Sequence, residues 1–499
     1  MTNKRMWTII PTMNFRTLVI AIIFLSIFAM GLQFSMDTDS WWHLRTGELI
    51  VEQGAVPTTD SFSYTRSAEP WHYPSNAWLS ELQLFFIYDN FGPGGLNLWV
   101  AALVTLAFMF IFLSMSGSPL LKAFVLVLAV TVSGVYWASR PYMLSFVLAA
   151  AFLWILEDHR WGRKNRLIWL PLLMILWVNS HPGYAIGFLL LGVYLFDAGA
   201  RWVAARFWGS RKKLSTVQYN LKPLAIATLG AAIAATVNPA GLAVFTFPFE
   251  TLSIGVLQDA ISEWQSPNFH SLPMQPFAWL LLMLLGVLGA ARRPLALIDF
   301  LLVAGFAYMG LLAARNIPLF ALVAPVVLTR HAEPWLQELR QTLRLKPPRT
   351  LKMAKWQPWL NTAFIAVVTL FVLARAAMVY TQDANDQVLA TRAPVTAVSY
   401  IQREQPPGRL FNSYNWGGYL VWALRNYPVY IDGRTDLYAD ELLAEWLDTI
   451  SAKAGWQDTL DKWDVRLVLI EPNWPLAQLL VTEGWQLLYE DEQAVLYGR

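Results

Sequence analysis

Apolar residues recur along the chain in runs of about 20 positions, some shorter, separated by brief polar breaks. The runs lie near residues 16–36, 95–115, 120–138, 141–157, 167–180, 183–199, 222–238, 276–291, 295–314, 316–330 and 359–380. A helix rises about 1.5 Å per residue, so about 20 apolar residues span a hydrocarbon core of about 30 Å. The pattern predicts a polytopic α-helical membrane protein with about eleven transmembrane helices. The first run reads as an uncleaved span rather than a signal peptide: it is long, it lacks an Ala-x-Ala cleavage pattern, and many more runs follow.

After Tyr380 the pattern changes. The segments "RLFNS", "YPVYID", "VRLVLIE" and "AVLYG" read as short strands, and "DELLAEWLDTI" and "PLAQLLVTEG" as helices. Residues 1–380 are therefore expected to form a transmembrane domain, with polar segments at 37–94 and 239–275, and residues 381–499 a small α/β domain. The chain shows no internal repeat, which weakens a transporter built from inverted halves.

Charge orients this plan. With the N-terminus in the cytoplasm, held there by Lys4, Arg5 and Arg16, most basic clusters fall on the cytoplasmic side. These are Arg160 and Arg163 with "KNR", "RWVAARFWGSRKK", Arg292 with Arg293, and the segment from Arg330 to Lys355. The external side receives residues 37–94, the turns "SRPY" and "NSHPGY", the long connection after residue 238 and everything beyond Tyr380. The expected location is a cell inner or plasma membrane, crossed many times, with the C-terminal domain outside.

Composition agrees. Of 499 residues, 56% are hydrophobic and only 14% charged, and 25 are tryptophan; the mean hydropathy is +0.40. The formal net charge of +3 comes with no basic stripe, so nucleic acid is not an expected partner. Cysteine is absent, which excludes disulfides, thiolate metal sites and a cysteine nucleophile.

The candidate chemistry gathers on the external side. Asp37 and Asp39 directly follow the first span, where a carboxylate is costly unless it works. Such a pair can hold a divalent cation, or one acid can act as a general base while the other tunes it. The bland alternative makes Asp39 or Ser40 the N-cap of a helix over "WWHLRTGELI". Arg140 in "ASRPY" is placed to neutralise a phosphate or simply to meet water. His43, His72 and His181 are expected to be hydrogen-bonded rather than ligating, and no histidine pair has zinc spacing. Trp41, Trp42, Trp71 and Trp78 can stack on sugar faces or anchor the membrane interface. Glu250, Asp259 and Glu263 punctuate a loop long enough to act as a lid or to be a solvated connector.

The run Asp39-Ser40-Trp41-Trp42-His43-Leu44-Arg45, followed by "TGELIVEQG", resembles the first external loop of the catalytic subunits of oligosaccharyltransferases, members of the GT-C class of membrane glycosyltransferases. "AARNIPLFALVAP" (313–325), "AISE" ending at Glu263 and "YNWGGYLVWALRNYPVYIDGR" (414–434) are similar to later motifs of the same family, in the same order. The resemblance implies a GT-C-like fold and transfer of a sugar from a polyprenyl-phosphate or polyprenyl-diphosphate donor to a glycan, lipid or protein acceptor. It implies that Asp39 is catalytic with Asp37 beside it, and that Arg315 binds the donor phosphate; Arg45, within the motif, and Arg140, from its place in the outer turn, are expected as further phosphate contacts. Trp41, Trp42, His43, His181, Glu263, Trp416 and Tyr419 are then expected on the substrate side. A divalent metal, magnesium or manganese, on Asp39, Asp37 and Glu263 is an allowed cofactor. The sequence departs from the family at Gly417 and Gly418, which stand where a second tryptophan and an acid are usual, so recognition of a peptide sequon is in doubt. The expected reaction is an inverting single displacement with Asp39 as base. The rivals are a flippase of lipid-linked saccharides, for which Asp299 and Arg375 are the main charges within the apolar runs, and a non-catalytic receptor.

Overall fold

The computed structural model describes residues 14–207, 220–252, 262–345 and 356–499. Lys4, Arg5, Asp259 and parts of two basic segments lie outside them.

Every apolar run falls on a helix: Phe15–Gly31, Tyr73–Ser114, Pro119–Ser133, Tyr142–Arg160, Trp169–Val178, Tyr184–Phe207, Leu221–Ala235, Gln275–Ala290, Leu297–Leu312, Ile317–Thr342 and Gln357–Tyr380. Among the described residues, six are long and apolar enough by length and composition to cross a membrane, and four more are shorter apolar helices. Large apolar side chains face outward along them, for example Val367, Leu370 and Phe371, each about two-thirds exposed, and Trp279 and Leu282. Outward apolar faces on helices that satisfy their own backbone hydrogen bonds suit lipid rather than water. The protein is a multi-pass, α-helical membrane protein.

The segment 37–94, expected as an external loop, is largely helical: Ser40–Gln53 is one helix and Tyr73 begins another. The latter reaches Ser114 only by way of a break at Gly92, whose φ of 63° and ψ of −167° leave the helix just before Pro93. A positive φ suits glycine, and proline starts a new helical turn without needing its missing N–H. This joint lets one stretch of chain serve as a surface helix up to residue 91 and as a span beyond it. The sequence pattern registers only the span, because the first half carries both apolar and polar side chains.

Beyond the last span a four-stranded sheet forms from β1 (Arg409–Asn412), β2 (Val465–Ile470), β3 (Gln486–Glu490) and β4 (Val495–Gly498), in the order β1-β2-β4-β3. β1 and β2 are parallel and the other pairs antiparallel. Three of these strands match the sequence pattern. β3 does not, because its "QLLYE" lies half-buried at the sheet edge without clean alternation. "YPVYID" is a correction: it joins no sheet, and Val429 instead exchanges backbone hydrogen bonds with Phe62 (3.0 Å) and Tyr64 (3.2 Å) of the 37–94 segment. One hydrophobic cluster consequently contains Trp41, Trp42 and Trp71 together with Phe411, Tyr430 and Leu467. A separate cluster fills the helix bundle.

Candidate active site

The site is built on the turn between Gly31 and Ser40. Ser35 fastens it: its amide and hydroxyl both donate to Asn97 Oδ1 at 2.8 Å, and its carbonyl accepts the Ser139 amide at 2.8 Å. These bonds tie the acidic turn to the "SRPY" turn, so residues a hundred positions apart meet. Asp37 Oδ1 then accepts from the Asp39 amide (3.2 Å), the Ser40 amide (3.1 Å) and the Ser40 hydroxyl (2.9 Å). The capping role expected of Asp39 or Ser40 thus falls to Asp37, and Asp39 makes no side-chain cap. Capping by a neighbour leaves the Asp39 carboxylate available.

Arg140 reaches both acids. Its Nε donates to Asp37 Oδ2 at 2.6 Å, and its Nη1 lies 2.7 Å from Asp39 Oδ2. Its guanidinium is therefore engaged by carboxylates rather than open to a phosphate. Burial pushes the Asp39 carboxyl up to about 7, helped by the negative charges of Asp37 and Glu263 and opposed by Arg140 and the nearby Trp42 indole. Trp42 Nε1 is buried without a hydrogen bond of good geometry, so its influence is that of a dipole placed nearby. Gly433 covers the other side of Asp39: a Cβ there would lie 1.8 Å from Oδ1.

Facing this pair is a second charged group. Arg315 lies over the Trp264 ring, 4.1 Å from its centre, and its Nη1 is 3.8 Å from Glu263 Oε1. The two segments are joined by the Arg315 amide donating to the Glu263 carbonyl at 3.0 Å. At that separation the ion pair is loose, and the Arg315 side chain is about one-third exposed. Among the described residues nothing else engages its donors, which can meet a ligand oxygen. His181 is close enough to feel Arg315; burial and that charge lower its pKa to about 3, so it is neutral. Its Nδ1 accepts the Gly183 amide at 2.9 Å and lies 2.8 Å from Ser145 Oγ, which leaves the proton on Nε2.

The structure thus brings together Asp37, Asp39, Arg140, Glu263, Arg315 and His181. Tyr414 is a residue the sequence reading missed: burial raises its hydroxyl pKa strongly, and Asp39, Asp432 and Glu263 add to the effect. Tyr142, which also feels Asp37 and Glu263, was missed as well. A tyrosine opening an apolar helix gives no local signal of its place near the acids.

Other expected residues sit elsewhere. Arg45 is a correction: its Nη1 pairs with Glu48 (2.9 Å) and Glu52 (3.1 Å) on its own helix, so the structure does not bring it to the acids. Trp42 packs against His43, Trp71 and Tyr73, and Trp41 against Tyr88 and Tyr419; both indoles are buried. His43 is buried too, with Nδ1 3.3 Å from Glu81 Oε1. Trp416 is likewise buried in the shared cluster, so no face is open for a substrate. Tyr419 lines a crevice with Asp37, Trp41, Tyr88 and Asn415.

"NWGGY" starts the helix Tyr414–Ala423 rather than a tight turn. Its glycines are contact points. A Cβ at Gly418 would lie 2.2 Å from the Thr38 carbonyl oxygen, and one at Gly417 2.2 Å from that of Ile431. Both positions are therefore closed by packing, Gly418 against the acidic turn and Gly417 against the Ile431–Asp432 backbone of the terminal domain itself. Below them Arg434, fully buried, donates to Asp432 and pairs with Asp60, tying the terminal domain to the 37–94 segment.

The allowed metal meets an obstacle. Carboxylate oxygens bind divalent cations at about 2.0–2.6 Å, so a shared ion must sit between them. Here the Arg140 guanidinium occupies that place between Asp37 and Asp39. Among the described residues no group of three histidine, aspartate, glutamate or cysteine side chains is placed to share an ion.

No protein-family model matches the chain, and no curated protein sequence does. Solved structures do. The oligosaccharyltransferase AglB from Archaeoglobus fulgidus, in complex with an inhibitory peptide and a dolichol-phosphate, aligns with 91% of this chain and 69% of its own at 12% identity, with a TM-score of 0.52. The arabinofuranosyltransferase AftD from Mycobacteria aligns with 97% of this chain but only 40% of its own, at 14% identity and a TM-score of 0.53. ArnT from Cupriavidus metallidurans bound to undecaprenyl phosphate aligns over 98% of both chains at 14% identity and a TM-score of 0.49. With its apolar helix bundle, acid-bearing first turn and small terminal sheet, the chain has the fold of the GT-C glycosyltransferases.

Proposed function

We propose that the protein is an inverting membrane glycosyltransferase that moves a sugar from a polyprenyl-phosphate or polyprenyl-diphosphate carrier to an acceptor at the external face of the membrane. Asp39 takes the proton of an acceptor hydroxyl as that oxygen forms a bond to the anomeric carbon. The bond from that carbon to the carrier phosphate breaks, and the electron pair leaves with the phosphate. Arg315 holds the departing phosphate, where negative charge grows as the bond opens. A guanidinium suits phosphate oxygens because it offers paired donors in one plane. The apolar bundle gives the carrier tail a path from the lipid.

The observation that carries this reading is the pairing, on one site, of a carboxyl with pKa about 7 and an arginine whose donors are open. A base is most effective when its pKa lies near the working pH. The dolichol-phosphate held by the archaeal oligosaccharyltransferase supports a carrier of this kind. Closure of Gly417 and Gly418 favours an acceptor other than a sequon peptide. The flippase reading loses its main charges: Asp299 pairs with Arg160 and Arg330, and Arg375 donates to the carbonyls of Ala29 and Leu32.

The test is a transfer assay in membranes with a panel of polyprenyl-phosphate sugars, comparing wild type with Asp39→Asn. Loss of transfer with carrier binding retained is expected. Turnover untouched by the substitution sinks the assignment.

A further inference from the structure

We propose that Arg140 is a built-in cation that takes the place of a divalent metal between Asp37 and Asp39, and that it positions Asp39 for catalysis by holding one of its two oxygens. The proposal rests on Asp39 being the base of the reaction described above.

The oxygens account for it. Asp37 Oδ1 already accepts three hydrogen bonds from its own turn, and Oδ2 accepts Arg140 Nε at 2.6 Å. Asp37 is left with one lone pair on Oδ2, and that oxygen already faces the guanidinium. Asp39 Oδ2 lies 2.7 Å from Arg140 Nη1. Nε and Nη1 are on adjacent edges of one rigid planar group, so a single guanidinium bridges two carboxylates as an ion would. Among the described residues a third ligand is missing as well: Glu263 faces Arg315. A metal ion would have to displace Arg140 and then tolerate a positive charge beside it.

Arg140 is also held as firmly as a ligand set. Its amide donates to the Ala138 carbonyl at 2.8 Å, its carbonyl accepts the Met143 amide at 3.1 Å, and the preceding Ser139 hydroxyl lies 2.6 Å from that of Ser35. Pro141 restricts the backbone directly after it. The bridge thus joins two turns that the backbone already clamps together.

Chemically, an arginine differs from a metal in three ways. It cannot be removed by a chelator, it does not ionise a bound water, and it fixes direction as well as charge. With Oδ2 engaged, the Asp39 carboxylate cannot rotate freely, which leaves Oδ1, the oxygen beside Gly433, for proton transfer and makes the absence of a side chain at Gly433 a condition for reaching it. Charge on the departing phosphate is then met by Arg315.

The experiment titrates Mn2+ into the purified full-length protein in lipid nanodiscs and counts bound ion by electron paramagnetic resonance, alongside transfer with and without EDTA. Wild type is expected to bind no stoichiometric Mn2+ and to keep its transfer rate in EDTA. Arg140→Gln, which frees the facing carboxylates, is expected to gain about one ion per chain at roughly millimolar metal, the range of sites with few acidic ligands. That gain should vanish in Arg140→Gln combined with Asp37→Asn. Arg140→Lys, which keeps the charge but loses the bridge, should exclude the ion yet restore transfer only in part. Circular dichroism and a thermal melt establish that each variant is folded. Stoichiometric Mn2+ on wild type that is lost with Asp39→Asn overturns the proposal, and so does a folded Arg140→Gln that gains no ion. Absence of glycosyl transfer with every donor would defeat the function proposed above while leaving the metal titration readable.

Discussion

Gly433→Ala isolates the contact between the terminal domain and the proposed base. Gly433 does not need a positive φ, so alanine brings no backbone strain there. It brings a methyl group whose carbon would lie 1.8 Å from Asp39 Oδ1 and 2.7 Å from its Cγ. Ordinary contact begins near 3.4 Å, so the two must separate by about 1.6 Å. The glycine side is fixed by the buried Asp432–Arg434–Asp60 group, whose members are at most 3% exposed. The aspartate side is the end of a side chain, which can turn away by giving up its contact with Arg140, so the carboxylate is the part that moves. A shift of about 1 Å in a reacting group costs about 100-fold in rate, or about 2.7 kcal/mol of barrier. The melting temperature should change little, because a side-chain end can give way where a backbone cannot. Gly418→Ala is the contrast: its methyl meets the Thr38 carbonyl at 2.2 Å, which is backbone, so stability and transfer should fall together. The assay is transfer in membranes together with a thermal melt of the same preparation. Gly433→Ala within threefold of the wild-type rate, with an unchanged melt, refutes the reasoning.

Three further outcomes follow from the same geometry. Because Asp39 acts in its deprotonated form and burial holds its pKa at about 7, transfer should rise about tenfold per pH unit below 7 and level off above it; a flat rate between pH 5 and 8 contradicts the base assignment. Arg315→Ala removes charge-assisted bonds to the carrier phosphate, each worth about 1.5–3 kcal/mol, and should cut transfer by about 10- to 100-fold without lowering the melting temperature. Arg434→Met leaves Asp60 and Asp432 buried without their cation, and should destabilise the terminal domain by about 3–5 kcal/mol in a denaturant or thermal titration.

The helices were legible in the sequence because each apolar run is a local pattern, and lipid imposes its length. Asp39 stood out as a candidate because the run from Asp39 to Arg45 stands together in the chain. What escaped was anything made by distant segments. The Arg140 bridge depends on Ser35 and Ser139 meeting, which no spacing announces. "YPVYID" has the alternation of a strand, yet it pairs with Phe62 and Tyr64, more than three hundred residues earlier. Arg45 matches its motif in position, but Glu48 and Glu52 lie on the same helix face and claim it first. The two glycines of "NWGGY" suggest a turn by residue type. They turn out to be helical because small residues let that helix lie against Thr38 on one side and Ile431 on the other. The "IDGR" stretch did hold a clue: an acid and an arginine beside apolar strand-like residues are costly to bury unless paired.

The hydrophobic cluster that runs from Trp41 and Trp71 into Phe411 and Leu467 has a consequence for descent. A break in the chain near residue 380 looks like a seam at which evolution could exchange one terminal domain for another. It is not a seam in the packing. A recombinant that inherited the spans from one parent and the last 119 residues from another would bring together two half-cores that had never been selected to fit. It would also separate Gly433 from the aspartate it was matched to. Successful shuffling must therefore move residues 37–94 and the terminal domain as one heritable unit, so changes in the two should be inherited together even though residues 95–380, the membrane-spanning chain, lie between them.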